Sequence, residues 1–396
     1  MTNKQGTVFN GALLVAGTSI GGGMLALPIE TGLSGFFPSV LVYFLCWGLM
    51  TCTGLLFLEV ALSMKKESNI VTMAEQTLGI GGKIFSWCLY LFLFYSLTLA
   101  YISGCGNLLA QAFPSIIPAQ WGPFLFVLFF GPMIYAGTRI VGKVNAVMMI
   151  GLAISYLTFV VLGAPNVKVE KLLETDWSLA LMGLPVAFTA FAYQGIIPTL
   201  VNYMGHDERK TRKAIIIGSS IPFLTYIVWQ ALILGIVPRF GPGSLAEALS
   251  NNDNAVHPLR NFLHNHSVYI VGQYFAFFAL VTSFFGVTLG LFDFLADGLK
   301  IEKTPVGKIV LSGIVFVPPL IVSLYNPNLF LIALNYAGGF GCALLLGLLP
   351  ILMVWKRRYV KGMHTSYALP GGKVLLACLA TFVVFEVLTN VYFLLT

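Results

Sequence analysis

Two short stretches of this 396-residue chain hold backbone that a continuous helix would waste. The first is Gly17-Thr18-Ser19-Ile20-Gly21-Gly22-Gly23, which runs on through Met24 to Pro28. Three glycines in a row each cost about 1 kcal/mol relative to alanine in a helix. The second is Phe191-Ala192-Tyr193-Gln194-Gly195, bracketed by Pro185 and Pro198. Unwound backbone there would present free N–H and C=O groups to a ligand. In hydrocarbon such groups are tolerated only where protein or a cavity satisfies them. The competing readings are small residues for close packing, as in GxxxG pairs, and a proline-kinked packing helix. The chain also holds a few acids within apolar runs: Glu30, Glu59, Asp293, Asp297 and Glu386. Such residues are functional candidates by default. Asp293 and Asp297 share one helix face, and Asp293 is the candidate for a titrating coupling group. Pairing with Lys300 or snorkelling is its alternative.

The elements that must position these residues follow from composition. The chain is 58% hydrophobic and 9% charged, with mean hydropathy +0.88. A soluble domain carries about 25% charge, so lipid is the solvent. A helix crossing a core of about 30 Å needs roughly 20 apolar residues. Runs of that kind fall near 8–34, 36–62, 84–113, 121–137, 141–163, 179–203, 213–237, 268–297, 307–324, 328–354 and 374–395. This predicts an all-α membrane protein of about eleven spans. The first run reads as a retained helix rather than a signal peptide, since no small-residue cleavage site follows it.

Of the 22 lysines and arginines, only Lys168, Lys171, Arg239 and Arg260 fall in one set of alternate loops; the other set, from Lys4 through Lys65 and Lys66 to Lys373, holds the rest. The bias predicts a cytoplasmic N-terminus and an external C-terminus in a bacterial inner membrane. The charge of +7 therefore belongs to membrane orientation and not to nucleic acid. The six cysteines lie in apolar runs with no CxxC pair, as buried small residues do. Among the five histidines, His264 and His266 form a lone pair in the long external loop, a weak metal motif. No nucleophile–base set is legible, which argues against an enzyme, and no repeated pore signature argues for a channel.

The two interrupted segments open the first and sixth runs. Five spans per half is odd, so the halves are inverted. Paired interruptions at corresponding places in inverted halves point to a secondary transporter's substrate site. Residues 1–163 and 179–354 are then the two repeats, and 374–395 an additional span.

The motifs carry a family resemblance. Gly17 to Pro28 resembles the G-T-x-I-G-x-G-M-L-A-x-P opening of the hydroxy/aromatic amino acid permeases. Tyr101-Ile102-Ser103-Gly104 is similar to their Y-I-S-G, and Ile217-Gly218-Ser219 through Trp229-Gln230 resembles their seventh helix. Ser283-Phe284-Phe285-Gly286-Val287 and Leu289 to Asp297 resemble the tyrosine-specific branch. The match spans nearly the whole chain. It implies a LeuT-type fold, five plus five spans and one extra, importing aromatic amino acids, tyrosine first, by symport. It implies H+ as coupling ion and leaves Na+ open; no other cofactor is expected. One position departs: glutamine stands at 194 where the family commonly has histidine, and Ile196 replaces a small polar residue. Glutamine cannot titrate, so sodium coupling or exchange is the alternative.

An amino acid brings a carboxylate, an ammonium and a side chain. With no cation at mid-membrane, the carboxylate must meet backbone N–H groups at a half-helix N-terminus. The expected binding set is Thr18, Ser19, Gly21, Gly22, Gly23, Met24, Tyr101, Phe191, Tyr193, Gln194, Gly195 and Ser283. Gln194 is the expected partner for a phenol, with Phe191, Tyr193 and Tyr101 as walls. The expected partners are this small molecule and the bilayer; a monomer is one of the assembly states left open.

Overall fold

The computed structural model describes residues 6–64, 68–263, 266–362 and 367–395. Lys4, Lys65, Lys66 and His264 lie outside the described residues, as does the side chain of His266. Among the described residues, ten helical runs are long and apolar enough to cross a membrane, and the bent pair α1 (Val8–Ser19) and α2 (Gly22–Gly32) makes an eleventh. The bend between them is 56°. The runs fall where the apolar segments place them, and the chain is a multi-pass membrane protein.

After the first span come α3 (Phe36–Ala61), the short α4 (Ile70–Leu78), α5 (Ile80–Ala112), α6 (Gly122–Ala136) and α7 (Thr138–Gly163). A five-residue helix, α8 (Val169–Leu173), precedes the sixth span. That span is broken: a 3₁₀ start at Trp177–Gly183, α9 (Leu184–Ala190), a gap, a 3₁₀ turn at Gln194–Ile196, then α10 (Ile197–Tyr203). Next come α11 (Glu208–Ile236), the loop helices α12 (Leu245–Ser250) and α13 (Leu259–Phe262), α14 (His266–Leu299) and α15 (Pro305–Tyr325). The tenth span joins α16 (Phe330–Tyr336), a π-helical stretch Ala337–Leu348 and α17 (Leu349–Trp355). The last span is α18 (Gly372–Leu395).

Local chemistry sets the ends. Thr7 caps α1 by accepting from the Asn10 N–H, and Asp207 caps α11 through the Lys210 N–H. Asn69 and Thr72 form a reciprocal capping box on α4, a helix that the apolar count alone passes over. Gly79 at φ 86° and Gly137 at φ 96° turn the chain sharply into α5 and α7, where a side chain would be strained.

Packing divides the helices by layer. The residues Val147, Ile154, Ile309 and Leu388 of α7, α15 and α18 are exposed and apolar, as lipid-facing positions are. The broken spans are central: every residue of α2 and of α9 is buried. Small residues let the helices close. A Cβ on Gly218 of α11 would fall 2.6 Å from the Ala12 carbonyl oxygen of α1, and one on Gly338 would overlap that of Pro185 outright.

Candidate functional site

The first break is a junction of three glycines with three different neighbours. A Cβ on Gly21 would overlap Ser283 Oγ. One on Gly22 would meet the Tyr101 ring at 2.5 Å, and one on Gly23 would meet Ala190 Cα at 3.0 Å. Close approach, and not backbone freedom, therefore demands glycine here. The Gly22 N–H donates to Ser283 Oγ at 3.0 Å, and the Met24 N–H to the Gly21 carbonyl. The N–H groups of Gly21 and Gly23 have no hydrogen-bond partner among the described residues. They head α2, so the positive end of its dipole points into the gap.

The second break faces the first. The hydroxyl of Tyr226, on α11, lies 2.7 Å from the Ser19 carbonyl oxygen and 2.9 Å from that of Ala190. One phenolic proton serves two carbonyls at the C-terminal ends of two half-helices, so it cannot satisfy both at once. An ammonium, with three donors, fits such a place.

A partly open cavity lies at this junction. Thr18, Ser19, Gly21, Gly22 and Gly23 line one side, with Thr189, Ala192, Tyr193 and Gly195 opposite. Tyr101, Leu93, Phe94 and Leu97 of α5 and Ser283 and Val287 of α14 form the walls, completed by Cys342, Leu345 and Leu346 of the π-helical stretch. Aromatic and aliphatic surface dominates, with polar atoms concentrated at the breaks. That division suits an amino acid with a large apolar side chain.

The structure brings nine of the twelve expected binding residues to this cavity, and three lie elsewhere. Met24 is fully buried in α2. Phe191 packs its ring against Tyr43, Phe223 and Tyr226. The amide of Gln194 is 0% exposed and wholly committed. Its Oε1 accepts from the Tyr193 N–H at 2.9 Å, and its Nε2 donates to the Met50 carbonyl at 3.0 Å and to Thr53 Oγ1 at 3.2 Å. Gln194 thus ties the second break to α3.

A second, larger cleft opens from this cavity. Ile70, Tyr90 and Gly195 line both. Tyr90 is held between Phe94 and Phe294, each with ring centroids 4.2 Å away, and so shapes the neck. Asn69, Lys83, Asn202, Asp297 and Lys300 surround the outer cleft. Asp293 stands there as well, with its side chain 42% exposed and its Oδ1 2.9 Å from Lys303 Nζ. The coupling candidate of the sequence therefore lies at the mouth, ion-paired to Lys303 rather than Lys300.

Away from the cleft, a buried network joins α2, α3 and α11. Tyr43 donates to Gln230 Oε1 at 2.6 Å, while Gln230 Nε2 donates to Thr31 Oγ1 and Ser39 Oγ, both at 3.0 Å. Sequence reasoning assigns no role to Tyr226 or Gln230. A signal is nonetheless present: Ser219, Pro222, Tyr226 and Gln230 recur at helical spacing along one buried face of α11. Tyr90 and Cys342 carry none.

With this geometry in place, the likenesses to known proteins are informative. The profile of the tryptophan/tyrosine permease family matches residues 4–390. The chain belongs to that family. It is 32% identical to the tyrosine-specific transport system 2 of Haemophilus influenzae over 92% of this chain and 91% of the relative. It is 30% identical to the tryptophan-specific transport protein of the same organism, over 98% and 96% of the two chains. Its fold is similar to that in the crystal structure of MhsT in complex with L-phenylalanine, with TM-score 0.64, 16% identity and coverage of 97% and 98%. The fold is accordingly the LeuT-type bundle, and the protein is a membrane permease and not an enzyme.

Proposed function

We propose that this permease imports aromatic amino acids, tyrosine first, into a bacterial cell by proton symport. One observation carries the reading: two broken helices aim free backbone groups into a cavity whose remaining walls are apolar and aromatic. The Gly21 and Gly23 N–H groups would take the carboxylate. The Thr18, Ser19 and Ala190 carbonyls would take the ammonium, with Tyr226 yielding its hydrogen bonds. Tyr101, Tyr193, Phe94 and Leu97 would enclose the ring. Relatives named for tyrosine and for tryptophan match this chain about equally, which supports an aromatic side chain. Ser283 and the phenol of Tyr101 are the polar groups that would read a substrate hydroxyl, since the Tyr193 and Thr189 hydroxyls already donate to the Met50 and Leu334 carbonyls.

The wide cleft opens among the loops that carry the basic excess, so the arrangement corresponds to a cavity open to the cytoplasm. Residues 1–163 and 179–354 would be the two repeats that move against one another, with 374–395 outside them. Radiolabelled tyrosine uptake into proteoliposomes, with proton and sodium gradients imposed separately, tests the proposal. Uptake driven by a pH gradient and competed by tryptophan or phenylalanine is expected. Uptake that follows sodium alone would replace the coupling ion, which the absence of a histidine at position 194 makes worth the separate arm. No uptake under either gradient would overturn the substrate assignment.

A further inference from the structure

Of the five acids that the sequence places within apolar runs, four have a visible occupation. Glu59 pairs with Arg358, and Asp293 with Lys303. Glu30 accepts from Asn335 Nδ2 at 2.7 Å. Asp297 lines the open outer cleft. The fifth, Glu386 in the middle of α18, is 0% exposed, and neither of its carboxyl oxygens has a hydrogen-bond partner among the described residues. Asn390, one turn further on, is also buried, and its Nδ2 is likewise without one.

This pair faces inward. Val384, Phe385 and Leu388 cover the outer side of α18, whereas Val383, Glu386 and Asn390 turn to the bundle. There the helix meets the π-helical stretch of the tenth span. A Cβ on Gly339 would overlap the Asn390 amide, so glycine is what admits that side chain. π-Helical turns widen a helix and recur at functional sites. The titratable groups facing Glu386 are the thiols of Cys46 on α3 and Cys342 on the π-helical stretch, both within electrostatic reach. The other segments packed on α18, namely Trp177–Gly183, α9 and α17, carry no acid, base or histidine. Cys342 also lines the substrate cavity. Cys342 thus stands between the buried carboxyl and the cavity it helps to line.

We propose that Glu386 is the proton-carrying residue of the transport cycle, loaded and unloaded across the widened tenth span. The inference rests on the proton-symport reading above. The step is a protonation only: an O–H bond forms on the carboxylate when a proton arrives from the external side. The same bond breaks when the proton leaves to the cytoplasm. An unpartnered carboxyl inside a membrane is costly to keep and marks a proton or ion pathway. Asp293, neutralised at the mouth by Lys303, has no such vacancy.

The test uses the full chain in proteoliposomes with radiolabelled tyrosine. Wild type, Glu386→Gln and Glu386→Asp are compared in two assays. One is accumulation driven by an imposed pH gradient; the other is exchange of internal for external tyrosine without a gradient. Glu386→Gln should keep exchange and lose accumulation, and Glu386→Asp should recover accumulation with a displaced pH profile. Accumulation by Glu386→Gln at the wild-type level overturns the proposal. If Glu386→Gln is too unstable to exchange, Glu386→Asp decides: an unchanged pH profile overturns the proposal and a displaced one supports it. Wild-type uptake that follows only sodium overturns the proton role and leaves the transporter reading intact. Wild type that takes up no aromatic amino acid overturns the functional reading beneath it.

Discussion

At the scale of single residues, what a side chain does here depends on where its polar atoms already point. Gln194 illustrates this. As a residue of the second break it invites a role in reading the substrate. Its amide is instead spent on Met50, Thr53 and the Tyr193 N–H. Truncation would leave buried backbone groups without partners, a loss of about 1–3 kcal/mol. Gln194→Ala should therefore lower the melting temperature in detergent. It should slow tyrosine and phenylalanine transport alike, leaving their ratio near that of the wild type; a changed ratio in competition assays would put the amide back in the cavity. Gly21 behaves differently. Its missing side chain is the space in which Ser283 Oγ sits, beside the free N–H groups of α2. Gly21→Leu should abolish binding of every aromatic amino acid alike, as read by loss of substrate-induced thermal stabilisation.

At the scale of elements, the connections between helices set where stability is concentrated. The end of α3 is clamped to the tenth span and to the segment before α18. Arg358 Nε donates to Glu59 Oε1 at 2.7 Å, the Leu369 N–H donates to Glu59 Oε2 at 3.1 Å, and Arg358 also donates to the Leu369 carbonyl. Arg357 joins the same group through Ser63 and the Glu59 carbonyl. Both charges of the Glu59–Arg358 pair are largely buried, so removing one strands the other. Glu59→Ala should cost roughly 3–5 kcal/mol, visible as a large drop in melting temperature, with Glu59→Gln milder because the Leu369 contact survives.

A second element-scale expectation concerns the long loop between α11 and α14. Asp253 accepts from His257 across 2.9 Å, and this hydrogen bond and the carboxylate charge raise the histidine above its usual pKa of 6.5. A raised folded-state value means stability fully present below the unfolded pKa and lost as pH climbs through the folded one. The loop also docks on the first span, since the Ala255 N–H donates to the Leu25 carbonyl. Docking should therefore loosen as pH rises above about 6.5. Hydrogen-exchange protection over residues 251–263, corrected for the intrinsic pH dependence of exchange, should fall with rising pH in the wild type and stay constant in His257→Ala.

At the scale of the whole molecule, the wide cleft opens among the loops that carry the basic excess, and the proposed orientation makes that side cytoplasmic. A cysteine at Asn202 lies in the cleft, and one at Asn251 lies in the long loop on the opposite side, next to α12. A membrane-impermeant thiol reagent should modify position 202 only from the cytoplasmic face and position 251 only from outside, above the background of the six native cysteines. Substrate should protect position 202 if closing the neck at Tyr90 accompanies binding. Reversed labelling would invert the topology and make the cleft external.

The sequence by itself determined the span count, nearly all span limits and the location of both breaks. These are local consequences of hydrocarbon thickness and of the rule that backbone in lipid must be satisfied. Glycine triplets and bracketing prolines announce where that rule is relaxed. What only the tertiary structure decided is which way the short half-helices turn. A break releases the rotation of the segment that follows it, so spacing no longer says which side chain faces the gap. Packing against α3 and α11 turned Gln194 and Phe191 away. It brought Tyr226, from a span with no break at all, onto the carbonyls of both. The same holds for Glu386: its apolar neighbours made it legible as an intramembrane acid, but its lack of a partner depends on α3 and the π-helical stretch, which lie in other spans.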